Sequence, residues 1–111
     1  MKITEVRRLA LALPGATEEP HFDKSSFRVK GKIFATVPPG GNYLHVFVDE
    51  AEQERMVSVA PKAYEKLWWG RKVVGLRVAL SLAKSRDVAD LLRSAWERKA
   101  PKSITSKRPS A

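Results

Sequence analysis

A chain of 111 residues, 43% hydrophobic and 30% charged, has the length of one domain and the composition of a folded globular protein rather than of a disordered polymer. It contains no cysteine, so disulfides, thiolate nucleophiles and cysteine-bound metals drop out together. The formal charge is +9 and lies in the second half: residues 1–54 hold seven Lys or Arg against eight Asp or Glu, residues 55–111 fourteen against four, a field that attracts polyanions or simply keeps the chain soluble.

Thr4 is placed to cap a first helix running to about Leu13, with Ile3, Val6, Leu9, Ala10 and Leu13 at near-helical spacing and Pro14-Gly15 as its stop. Glu5, Arg7 and Arg8 interrupt its apolar run, which is unlike a signal peptide. No apolar stretch reaches the roughly 20 residues of a membrane span, and a cytoplasmic protein with no membrane partner is expected.

From Ser25 the pattern turns to strands, Ser25 to Val29 and Ile33 to Val37, around a Lys30-Gly31 turn in which glycine tolerates positive φ. A two-residue turn sets Phe27 opposite Phe34, with Arg28, Ile33 and Ala35 on the other face. A three-residue turn aligns Phe27, Val29, Ile33 and Ala35 instead. After the loop at 38–42, Tyr43 to Val48 is apolar or aromatic on both faces, as a central strand would be.

Asp49 with Glu52 three residues on forms a capping-box signature for a second helix to about Val59, burying Met56, Val57 and Ala60 and ending at Pro61. Two strands, 64–69 and 72–80, flank Gly70-Arg71. A last helix from Asp87 to about Lys99, with Ser85 near its cap, carries Val88, Leu91, Leu92, Ala95 and Trp96 on one stripe.

The order α-β-β-β-α-β-β-α implies an α+β domain over residues 1–100, an antiparallel sheet with its helices on one face. Residues 101–111 read as a basic, disordered tail.

The pieces ALALPG at 10–15, HF with SFRVKGKIFATV between 21 and 37, WG at 69–70 and AW with AP between 95 and 101 together resemble the MmcQ/YjbR family. The resemblance covers roughly residues 3–101 and implies a CyaY-like α+β fold. Members are commonly labelled DNA-binding, without a shared catalytic set or cofactor. Where relatives often carry a second Gly-Trp pair, this chain has Val73-Val74.

A frataxin-type iron site would need a ridge of carboxylates. Glu5, Glu18, Glu19 and Asp23 are interleaved with Arg7, Arg8 and Lys24, which argues against a cation. For hydrolysis, His21, Asp23 and Ser25 would share one face if the segment were a continuous strand, which leaves a small-ligand or hydrolytic role as a third reading. His45 is the other histidine, and two do not make a zinc site.

Nucleic-acid binding has the better physical case. Arg28, Lys30 and Lys32 on the first hairpin, with Lys66, Arg71, Lys72 and Arg77 on the later strands, are the expected phosphate contacts. Trp68 and Tyr43 are the stacking candidates, while Trp96 and one of the Trp68-Trp69 pair are expected in the core. The sequence thus points to a non-enzymatic, monomeric, cofactor-free binder of DNA or another polyanion with low sequence specificity. A protein-interaction adaptor is the alternative.

Overall fold

The computed structural model describes residues 1–105, and its elements run α1 (Ile3–Leu11), β1 (Ala16–His21), β2 (Lys24–Val29), β3 (Lys32–Val37), β4 (Tyr43–Val46), α2 (Glu50–Val59), β5 (Tyr64–Trp69), β6 (Lys72–Ala79), α3 (Ser85–Lys99) and α4 (Lys102–Thr105). The expected order is present, with an added edge strand β1 and the short α4. All pairings in the six-stranded sheet are antiparallel, in the order β1-β2-β3-β4-β6-β5, and β4 is an interior strand, as expected, with Leu44 and Val46 buried on one face and the half-buried Tyr43 and His45 on the other.

Paired residues share a face of the sheet. On one face Phe27, Ala35, Leu44, Val46, Leu76 and Val78 are fully buried, and α3 packs over β2, β3 and β4 while α2 packs over β5 and β6. The α3 stripe is as read: Val88, Leu91, Leu92, Ala95 and Trp96 are all buried. Trp96 also donates its indole N–H to the Pro14 carbonyl at 2.9 Å, tying α3 to the end of α1. Among the described residues no helix covers the opposite face, the open face of the sheet.

Local chemistry sets most element ends. Asp49 accepts from the Glu52 N–H at 3.0 Å and starts α2. Lys30 and Gly31, at φ 49° and 78°, make the two-residue turn between β2 and β3, with Val29 paired to Lys32, a geometry whose twist matches that of the strands. Two helix starts differ from expectation. Thr4 and Ser85 lie inside the first turns of α1 and α3, whose caps are Lys2 and Lys84 without side-chain hydrogen bonds.

The hairpin register also departs from the simple reading. A bulge between Phe27 and Arg28 pairs Phe27 with Ala35 rather than Phe34, although the two phenylalanine rings remain neighbours at 6.5 Å. The extra residue lets Phe34, Ala35, Thr36 and Val37 all be buried. At the C-terminus, residues 102–105 form α4 instead of beginning a disordered tail, and Ile104 packs against the core. The rest of the expected tail, 106–111, lies outside the described residues.

Candidate functional site

Strand lengths create the main surface feature. β4 has four residues and pairs with β3 at Ala35–Thr36 and with β6 over Leu76–Ala79. The upper parts of β3 and β6 therefore extend past it with no strand between them, leaving a notch, and the β2–β3 and β5–β6 turns project from the same end of the sheet. Gly75 permits the chain to leave β4 here. A Cβ on it would stand 2.1 Å from the Val46 carbonyl oxygen and 3.0 Å from the Phe47 Cα.

Between the two hairpins lies a depression of about 1400 Å³ that continues onto the open face. Ile33, Phe47, Leu67 and Val73 line it, as do the cations Lys24, Arg71 and Lys72 and the carboxylates of Asp23, Asp49, Glu50 and Glu54. Arg98 also borders it and donates to the Phe47 carbonyl at 2.7 Å.

Below the notch a polar row crosses the open face from edge to edge: Glu19, Ser26, Thr36, His45, Arg77 and Glu65 are successive cross-strand partners. Arg77 bonds Glu65 at 2.7 Å and covers the Tyr43 ring at 3.5 Å. Arg28 contacts Glu19 at 4.0 Å and donates to Ser26 Oγ at 3.0 Å and to the Pro20 carbonyl at 3.3 Å. Burial, reinforced by Lys24 and Arg77, pushes His45 down to about 4, so the middle of the row is uncharged at neutral pH.

The seven cations expected at a phosphate surface are thus divided. Arg77 belongs to the polar row and Arg28 reaches it through its side chain, and they are compensated by Glu65 and Glu19. Lys66 is on the helix face, because it pairs with Leu76, and it bonds Glu54 of α2 at 2.6 Å. Lys30 and Lys32 on one turn, and Arg71 and Lys72 on the other, are exposed, and none forms an ion pair with another described residue.

The aromatics are redistributed as well. Trp68 and Trp69 are both exposed, at 61% and 80%, so neither joins the core. They follow the register shift between Leu67 and Trp68 on the edge strand, opposite which β6 carries the extra residue Val74. Tyr43 is removed as a stacking surface by Arg77. Phe22, which sequence reasoning did not single out, is 93% exposed.

The proposed His21, Asp23 and Ser25 cluster does not form. A turn at Phe22-Asp23 interrupts the strand, His21 pairs with Lys24 and Ser25 with Pro20, and the Ser25 hydroxyl donates to Glu18 on the helix face at 2.5 Å. Glu18 is also bonded by Arg7 at 2.7 Å, which holds its carboxyl below the usual range. Among the described residues no group of three or more His, Asp or Glu is arranged to hold a metal ion, and no helix is long and apolar enough to cross a membrane.

The YjbR family model matches residues 11–98. The crystal structure of Deinococcus radiodurans protein DR2400, carrying a DUF419 domain, is similar in fold, with a TM-score of 0.78 at 18% identity over 96% of this chain and 86% of that one. No curated protein matches.

Proposed function

The chain belongs to the YjbR family, and from that premise we propose that it is a non-enzymatic, cytoplasmic, monomeric protein that binds DNA or another polyanion with low sequence specificity through the two hairpin tips. The observation that carries this reading is the set Lys30, Lys32, Arg71 and Lys72: four exposed cations without carboxylate partners among the described residues, on two turns at one end of the sheet. Uncompensated cations release the counterions condensed on a phosphate backbone, which yields affinity without reading bases. Arg28, Lys66 and Arg77, each held by a carboxylate, contribute less because binding phosphate would first require breaking those pairs.

The test is an electrophoretic shift of a short labelled duplex at low ionic strength. The wild-type protein shifts it, and replacing Lys30, Lys32, Arg71 and Lys72 by Ala removes the shift while the protein stays folded. A shift unchanged by the four replacements relocates the site. The adaptor reading draws on the exposed Trp68-Trp69 pair, and its mark would be a protein partner held as firmly at high salt as at low.

A further inference from the structure

Phe22 is a bulky apolar residue that solvent surrounds almost completely, at 93% exposure, and its φ of 58° lies in the left-handed region, which side chains larger than glycine or asparagine rarely adopt. Neither burial nor backbone preference accounts for a phenylalanine there. Its ring makes an edge contact with His21 at 4.7 Å. Strained positions that packing does not explain concentrate where a ligand is gripped.

Phe22 borders the same depression as Trp68 and Trp69. The turn bearing it joins β1 to β2, at the end of the sheet away from the notch, and the tryptophan hairpin joins β5 to β6. Four strand spacings separate the two hairpin axes, roughly 20 Å at about 4.8 Å per strand. Between them the surface offers Thr36 and His45 of the polar row and, nearer the tryptophans, the apolar side chains Ile33, Phe47 and Leu67. Lys24 stands beside Phe22, and Arg71 and Lys72 beside the tryptophans.

We propose that the ligand is an unpaired nucleic-acid strand crossing the open face, its bases stacked on Phe22 at one end and on the Trp68-Trp69 hairpin at the other. The inference rests on the polyanion reading above and narrows it. A duplex hides its base faces and would meet only the cations, whereas a single strand presents both phosphates for the cations and base faces for the aromatics. The depression's lining holds six Lys or Arg against four Asp or Glu, a net positive charge that favours a polyanion, and aromatic surfaces at both ends select one with exposed bases.

The experiment titrates tryptophan fluorescence of the full chain with oligothymidylates of increasing length, in the wild type and in the Phe22→Gly, Phe22→Asn and Phe22→Tyr variants. Affinity should rise with length until the strand spans both ends. Phe22→Gly and Phe22→Asn, both at ease with positive φ, should bind long oligomers about tenfold more weakly, as loss of one stacked base implies, and short ones unchanged. Phe22→Tyr should restore long-oligomer binding. The Gly variant's melting temperature should equal or exceed that of the wild type, separating loss of contact from loss of fold. Equal binding of all lengths by wild type and Phe22→Gly overturns the proposal, as does competition by duplex, or by polyglutamate, as effective as that by single strand. Absence of any oligonucleotide binding at low salt would instead remove the polyanion reading beneath it.

Discussion

His45 and Tyr64 carry the two polar side-chain atoms that are buried without a hydrogen-bond partner among the described residues, and each makes a measurable prediction. His45 resists protonation down to about 4, against its ordinary 6.5, because burial disfavours the imidazolium and Lys24 and Arg77 repel it, only partly offset by Glu65. Above pH 6.5 folded and unfolded states are both neutral at this site. As pH falls from there toward 4 the unfolded state takes up a proton that the folded state refuses, so stability falls across that window. His45→Gln should flatten the upper part of the decline in urea titrations, above the range where Glu18, whose ordinary value is 4.5, begins to contribute. An unchanged slope would mean that the imidazole is better solvated than its surroundings indicate. The Tyr64 hydroxyl is pushed up to about 12 by burial. Removing an orphaned polar atom costs no hydrogen bond, so Tyr64→Phe should leave stability unchanged or raise it by about 1 kcal/mol. A clear loss would reveal a bonding partner.

At the scale of elements, the short β4 makes the notch and Gly75 makes the short β4 possible. Gly75→Ala must displace backbone rather than a flexible side chain, since its Cβ would overlap the Val46 carbonyl. A loss of roughly 3 kcal/mol in urea denaturation is expected, and a loss near zero would show that the strand end can shift freely. Such approaches are invisible in sequence. The β2–β3 turn, the α2 cap and the α3 stripe were legible because each is written in residues a few positions apart. β1 was not, because Glu18, Glu19 and Pro20 have poor strand character. Proline is tolerated on an edge strand, and the carboxylates gain partners only after folding, Glu18 from Arg7 and Glu19 from Arg28. The bulges at Phe27/Arg28 and Leu67/Trp68 were hidden for a similar reason. They alter pairing while leaving the residue pattern intact, and the second carries both tryptophans out beyond the core.

For the whole molecule, the basic second half was evident from composition, but the usable part of that charge was not. Cross-strand register assigns Glu65 to Arg77 and inter-element packing assigns Glu54 to Lys66, pairings across twelve positions that spacing alone does not reveal. What remains uncompensated among the seven candidates is a smaller set on two turns: Lys30, Lys32, Arg71 and Lys72. Binding at that end of the molecule should respond to salt in proportion to the phosphates these residues neutralise.

The most direct test is the slope of log affinity against log salt for a short DNA oligonucleotide, compared between the wild type and the protein with Lys30, Lys32, Arg71 and Lys72 replaced by Ala. The wild type should show a steep negative slope that the replacements reduce by about 3, close to the four phosphate contacts removed. A shallow wild-type slope, or one that the replacements leave unaltered, would contradict a polyanion site at the hairpin tips.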